Sequence, residues 1–321
     1  MSRFQSFLSP HIESYITFRK AALRWNEITY ESNLALFDKH CFTEHPKSGA
    51  LTQEMVEQWC AQRATESNNS CRARIMAVLG FIDYMRVRGL TDVKPPDTPK
   101  REACTYIPHA FSKSELANFF SACDSLPETP PSITVLSRRL TVPVFFRLLY
   151  SSGIRTNEAR MLSVEDVDLT HGVLNVLRSK GHTQHYIALH DTMLDLMKKY
   201  DADIRALYPE RTYFFPSRNG RHHREKAWVQ RNFRQIWSKC NIGRATAYDF
   251  RHNYAVENIN KWVGEGLDFS KFVYLSKSMG HVKLESTKYY FHLVPAFADI
   301  MDELAGQSFD EIVPEVDYEE S

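Results

Sequence analysis

Apolar positions recur at helical spacing through residues 1–90. Leu8, Ile12, Tyr15, Ile16 and Leu23 form one series, and Leu34 and Phe37 continue the pattern. Met55, Val56, Trp59 and Cys60 mark a further amphipathic helix, with Thr52 placed to open it. Ile75, Val78, Leu79, Ile82, Tyr84 and Met85 mark another, opened near Ser70 and closed by Gly89. No period-two alternation interrupts this stretch. The pattern predicts a small helical domain over residues 1–90.

The texture then changes. Four prolines fall within residues 91–109, where they block helix and disfavour a central strand. Residues 91–110 therefore read as an extended linker. Helical spacing resumes at Ser112, which forms a capping-box pair with Glu115 ahead of Leu116, Phe119 and Phe120. A Pro- and Ser-rich break runs from Asp124 to Ser132, and an apolar helix is expected from Thr141 to Ser152, stopped by Gly153. Residues 173–178 and 185–189 read as two short strands around the turn Ser179-Lys180-Gly181-His182-Thr183-Gln184. Tyr213-Phe214-Phe215 is a further short apolar run, and the rest to about Leu304 reads as helix. The expected architecture is mainly α with a small antiparallel β-sheet: a helical domain, 1–90; a linker, 91–110; a mixed α/β domain, 111–304; and an acidic tail, 305–321.

Composition narrows the class. The chain has 321 residues, with 43% hydrophobic and 25% charged positions, enough for two globular cores. No run approaches the roughly 18 consecutive apolar residues of a membrane span, and the first residues lack the apolar core of a secretory signal. The six cysteines form no CxxC pair, so reduced thiols and a cytoplasmic location are expected. The net charge of +1 hides an asymmetry: residues 299–321 hold nine acids and no Lys or Arg, leaving 40 basic against 30 acidic residues in the remainder. A basic body permits a polyanionic partner without requiring one.

Four separated patterns carry candidate chemistry: Gly153-Ile154-Arg155-Thr156-Asn157-Glu158; Arg178-Ser179-Lys180-Gly181 at the turn; Tyr248-Asp249-Phe250-Arg251-His252; and Met279-Gly280-His281 with Tyr290-Phe291-His292 beyond it. In this order they resemble the tyrosine recombinase, or phage integrase, family. That family reads Gly-x-Arg-x-x-Glu, a hairpin Lys, His-x-x-Arg-His, Leu-Gly-His, and then a nucleophilic Tyr followed one residue later by His. The resemblance runs from about Phe111 to His292. It implies a helical DNA-binding domain ahead of a catalytic domain, double-stranded DNA carrying specific recombination sites as substrate, and self-association, to a tetramer, on paired sites.

The residue types suit that chemistry. Arginine forks bind phosphate oxygens bidentately and stay charged, so Arg155 and Arg251 would hold the scissile phosphate. Tyr290, nine residues after His281, would be the nucleophile in preference to its neighbour Tyr289. The resemblance makes Lys180 the general acid to the departing 5′ oxygen, and gives His281 a hydrogen bond to the phosphate or a part in proton movement. Glu158 reads as orienting Arg155, and Asp166 and Asp168 as structural. Tyr248 departs from the family's histidine; it can still donate a hydrogen bond but cannot carry positive charge. No cofactor is expected, and no metal, since the arginines supply the charge a metal would. Arg72 and Arg74, behind Ser67-Asn68-Asn69-Ser70, are candidates for DNA phosphate at a helix start, the competing reading being an ordinary capped helix. Arg221-His222-His223-Arg224 reads as a basic DNA-facing loop. A type IB topoisomerase, which shares the phosphotyrosyl chemistry, and a DNA-binding relative without catalysis stand as alternatives.

Overall fold

Ser and Thr side chains open four of the described helices, and the cores between the helices are strongly aromatic. The computed structural model describes residues 3–22, 27–102, 106–129, 131–177, 184–265, 269–281 and 290. Contacts divide the chain into a unit ending at Tyr106 and a unit beginning at Ile107.

The first unit is helical, as its periodicity predicts. It comprises α1 (Ser9–Ala21), a π-helical segment (Glu27–Glu31), α2 (Ser32–Glu44), α3 (Gln53–Cys60) and α4 (Asn68–Val87). Thr52 caps α3 by accepting from the Met55 amide, and Ser67, not Ser70, caps α4. The core brings together Ile12, Tyr15, Leu34, Phe37, Val56, Ile75, Val78, Phe81 and Ile82.

At the start of α4 both candidate phosphate-binding arginines have partners within the protein. Arg74 is buried, is salt-bridged to Glu66 at 2.7 Å, donates to the Trp59 and Ala61 carbonyls, and lies over the Trp59 ring. Arg72 donates to Thr98 Oγ1 at 3.0 Å and the Pro99 carbonyl at 2.7 Å, while Asn69 exchanges bonds with the Glu102 backbone. The proline-bearing segment packs over this helix start and takes up Nη1 of the half-buried Arg72, while Arg74 is enclosed among the protein's own acceptors.

The second unit begins with α5 (Lys113–Asp124), whose Ser112–Glu115 capping box forms as the sequence predicts. α6 (Ile133–Ser152) starts eight residues earlier than its apolar run suggests, because Ser132 caps it and Pro143 is absorbed within it. Then follow α7 (Thr156–Met161), β1 (Val167–Asp168), β2 (Val173–Val176), β3 (His185–Ala188), α8 (Asp191–Leu207), α9 (Lys226–Cys240), α10 (Asp249–Glu265) and α11 (Phe269–Ser278). The sheet is antiparallel, β1-β2-β3, with Asn175 opposite Tyr186 and Val176 opposite His185. Tyr213 makes an isolated bridge to Ser163 rather than a strand.

α6 packs against both α8 and α10. The core is dominated by Phe119, Phe145, Phe146, Phe214, Phe215, Phe233, Trp237 and Phe250. Four of the cysteines, Cys41, Cys60, Cys71 and Cys123, are buried free thiols, and burial pushes Cys41, Cys60 and Cys123 up to about 12. Among the described residues no helix is long and apolar enough to cross a membrane.

Lys180, Tyr289, His292, the apolar series Val294, Phe297, Ile300, Met301 and Leu304, and the acidic tail 305–321 lie outside the described residues.

Candidate active site

Arg155, Arg251 and His281 are each placed by a helix end. α6 terminates at Gly153, whose φ of +63° is open to glycine at little steric cost. Two residues later Arg155 occupies the N-cap position of α7. Glu158, at the third helical position, accepts from the Arg155 amide at 3.1 Å and from its guanidinium Nη1 at 2.5 Å. The spacing Gly-x-Arg-x-x-Glu is therefore a helix stop, a cap and a capping carboxylate. Glu158 is buried and orients Arg155, as its position in the motif suggests.

α11 ends in the same way. Gly280, at φ +62°, follows the helix, and the His281 amide reaches back to the Ser276 carbonyl at 2.9 Å, closing a Schellman turn. The chain reversal presents the Met279 and Gly280 carbonyls and the His281 ring to the arginines.

Arg251, only 2% exposed, lies in the first turn of α10. Its Nη1 donates to the Gly153 carbonyl at 2.6 Å, and its Nη2 to the Met279 carbonyl at 2.7 Å. Arg155 Nη2 donates to the Gly280 carbonyl at 2.8 Å. The two guanidiniums are thus held by the ends of α6 and α11. Burial pulls the Arg251 pKa down, and the Arg155 charge lowers it further; arginine remains a cation under such shifts.

His281 Nε2 lies 2.9 Å from Arg251 Nη2. Since the guanidinium can only donate, Nε2 accepts, and the ring's proton resides on Nδ1. Burial first, then the charges of Arg251 and Arg155 and the neighbouring His185, push the His281 pKa down to about 3. The imidazole is neutral at pH 7.

Tyr290 is buried, its ring stacked parallel to His281 at 6.2 Å between centroids and tilted against His252 at 5.6 Å. It packs with Ala255, Ile259, Leu275 and Met279. Tyr248 is 42% exposed, its ring edge-on to His252 at 5.1 Å. The structure thus brings together Arg155, Arg251, His281 and Tyr290, with Tyr248 at their rim. Asp166 and Asp168 are structural: Asp166 accepts from the Ser163 amide, and Asp168 from the amides of Thr170 and His171.

A groove of about 830 Å³ opens beside Tyr248, bounded by Thr156, Asn157, Arg160, Arg234, Arg244 and Lys226 among others. Four of its sixteen lining residues are basic and none is acidic. Arg160 also bonds His223 Nδ1 and the Arg224 carbonyl, and Arg224 is itself buried against Ser137, so the expected basic loop is partly drawn into the fold. The motifs did not single out Arg160 or His185, and they gave His252, inside the third motif, no role of its own. Of these, His185 left a trace in the sequence: it shares the inward register of its strand with Ile187, where an apolar residue is the norm.

Comparison with known proteins gives the family and the fold. The model of the phage integrase family matches residues 110–296. A Sinorhizobium fredii protein named integrase/recombinase y4rE is 29% identical over 301 residues, spanning 90% of this chain and 93% of its own length. The tyrosine recombinase XerC of Staphylococcus saprophyticus is 22% identical over 295 residues, spanning 88% and 92%. Among solved structures, the XerH site-specific recombinase in a post-cleavage complex with palindromic difH substrate superposes with a TM-score of 0.58 at 17% identity, covering 86% of this chain and 78% of that one. A lambda integrase tetramer bound to a Holliday junction gives 0.56 at 14% identity, covering 88% and 76%.

Proposed function

The chain belongs to the phage integrase family, and from that premise we propose that it breaks and rejoins double-stranded DNA at specific sites through a covalent 3′-phosphotyrosyl bond to Tyr290. The observation that carries this reading is the convergence of Arg155, Arg251, His281 and Tyr290 from four separate chain segments.

In this reading the scissile phosphate enters between Arg155 and Arg251. Each guanidinium has five N–H donors, and the contacts to carbonyls and Glu158 fix its plane while leaving donors for non-bridging oxygens. Because those contacts exist before DNA arrives, little reorganisation is needed as charge builds in the transition state. The Tyr290 oxygen attacks phosphorus, its hydroxyl proton passing through water to solvent, and the bond to the 5′ oxygen breaks. Lys180 supplies the proton to that leaving oxygen. Neutral His281, with Nε2 engaged by Arg251, offers its Nδ1–H as donor. Tyr248 assists as a neutral hydrogen-bond donor at the rim. The phosphotyrosyl linkage retains the energy of the broken bond, so a 5′ hydroxyl from a second duplex rejoins it without ATP.

The wider setting follows the same reading: integration or excision of a mobile element in the cytoplasm, by a tetramer on paired sites. The basic groove beside Tyr248 suits the DNA backbone next to the cleaved phosphate.

The test is covalent capture on a nicked cognate duplex from which the cleaved fragment diffuses away. Wild type and Tyr289→Phe should form the adduct, and Tyr290→Phe should not, while still binding DNA. An adduct with Tyr290→Phe that is lost with Tyr289→Phe reverses the assignment. Product that requires two matched sites separates recombination from supercoil relaxation on a single site.

A further inference from the structure

His185 is a buried histidine outside the motif residues. It sits on the inner face of β3, opposite Val176 and in register with Ile187. A polar ring in such a place costs desolvation that valine or isoleucine would avoid. Two of its contacts bear on the arginine clamp. Its Nε2 is 3.8 Å from Glu158 Oε2. Its ring also lies flat against the Gly280 backbone, so closely that a Cβ at Gly280 would stand 2.6 Å from His185 Cε1.

Glu158 and Gly280 are the two groups that hold the Arg155 guanidinium: the carboxylate takes Nη1 at 2.5 Å, and the Gly280 carbonyl takes Nη2 at 2.8 Å. Glu158 belongs to α7, and Gly280 to the turn after α11. His185 touches both from a third element, the sheet. A shift of β3 therefore moves both supports of one side chain together. On the sequence, His185 stands five residues after Lys180.

We propose that His185 is a positioning residue: wedged between Glu158 and Gly280, it sets the place of the Arg155 guanidinium and ties the arginine clamp to the strand that leads from Lys180. This deepens the proposed recombinase reading and rests on it. His185 does not touch the phosphate. It acts through Arg155, as a neutral or charged ring alike, because the ring's bulk fixes Gly280 and its nitrogen faces the carboxylate.

The experiment is single-turnover cleavage of a nicked cognate duplex by full-length protein at saturating concentration. The variants are His185→Ala, His185→Gln, Arg155→Lys and the double substitution His185→Ala with Arg155→Lys. His185→Ala should cleave about ten- to a hundredfold more slowly, the scale on which misplacing a group by about 1 Å acts, with DNA affinity and thermal midpoint close to wild type. His185→Gln, which restores a nitrogen toward Glu158, should recover most of that loss. In the Arg155→Lys background, where the forked contacts no longer exist, His185→Ala should cost less than about threefold, because coupled residues are non-additive.

Wild-type cleavage by His185→Ala, or full additivity in the double variant, overturns the inference. If His185→Ala fails to fold, the same cycle run with His185→Val, which suits the strand but carries no nitrogen toward Glu158, decides it, and an undiminished loss in the Arg155→Lys background overturns it equally. No adduct with wild-type protein on a verified site overturns the recombinase reading itself. An active wild type with additive losses overturns only the role of His185.

Discussion

At Arg251, burial and charge oppose each other: the guanidinium is almost wholly enclosed, yet its bonds go to the Gly153 and Met279 carbonyls and to His281. Such a cation, held by dipoles beside a second cation, is a poor way to stabilise a fold and a good way to meet an anion. Arg251→Ala should therefore abolish measurable cleavage, whereas Tyr248→Phe, which removes one exposed hydroxyl, should slow it only about tenfold. Single-turnover cleavage compares them, and equal rates for Tyr248→Phe and wild type would reduce Tyr248 to packing. His281 gives a pH signature. Its folded pKa is depressed from the ordinary 6.5 to about 3, so between those values the unfolded chain binds a proton that the native one does not. Its contribution to stability is complete above about pH 6.5 and falls as pH drops toward 3. His281→Asn should flatten that part of the stability–pH profile measured by denaturant unfolding, and an unchanged profile would contradict the depressed value. The sequence showed Arg155, Arg251, His281 and Tyr290 because their spacing is repeated across a family. It could not show that Arg74 is a core residue, since its partners Glu66 and Trp59 are matched to it only by folding. His185 was hidden for the same reason, as its meaning comes from Gly280, 95 residues away.

At the scale of elements, helix ends do the positioning and the aromatic core fixes the helices. Phe250 precedes Arg251, and its ring lies 4.9 Å from Phe111 and 5.5 Å from both Phe119 and Phe233. The first turn of α10 is thereby anchored in the core on one side and opens into the site on the other. Gly153 is the matching device on α6. Any side chain there meets a positive φ, and a Cβ would lie 2.4 Å from Tyr254 Cδ1. Gly153→Ala should cost about 1–3 kcal/mol of stability. It should also lower cleavage beyond what the remaining folded fraction explains, because the Gly153 carbonyl holds Arg251. Thermal unfolding and cleavage at a temperature where the variant is fully folded separate the two effects. A variant with normal cleavage there would show that the carbonyl does not set the arginine. Local signals made some elements legible: the Ser112–Glu115 box and the stop at Gly153 stand where they were read. The early start of α6 was not legible, because Pro143 resembles a first-turn proline and only tertiary packing against α8 and α10 carries the helix through it. The strand β1 escaped for a related reason: two residues cannot show a period.

For the whole molecule the decisive quantity is charge distribution. The formal net charge is only +1, which is low for a chain that must approach a polyanion. The nine acids in residues 299–321 account for this, since the rest of the chain carries 40 basic against 30 acidic groups. A dense anionic segment tethered to a basic body competes with DNA for that body at any distance within a Debye length, about 10 Å at 0.1 M salt. We expect it to suppress binding to arbitrary sequence more than binding to a cognate site, where the phosphate contacts proposed for Arg155 and Arg251 add to the general electrostatic attraction. The discriminating variant neutralises Asp310, Glu311, Glu315, Asp317, Glu319 and Glu320 to Asn or Gln, which removes charge and leaves the apolar positions Val294, Phe297, Ile300, Met301 and Leu304 intact. Its affinity for non-cognate duplex should rise roughly tenfold near 50 mM salt and converge with wild type as salt increases, because the competing attraction is screened. Cognate affinity should rise less, so the specificity ratio should fall. Truncation after Pro295 removes Phe297, Ile300, Met301 and Leu304 as well, and should in addition weaken multimers on DNA while single-site binding persists. If the neutralised variant binds non-cognate DNA no more tightly than wild type at low salt, the acidic segment does not compete for the DNA surface, and the low net charge has no part in target selection.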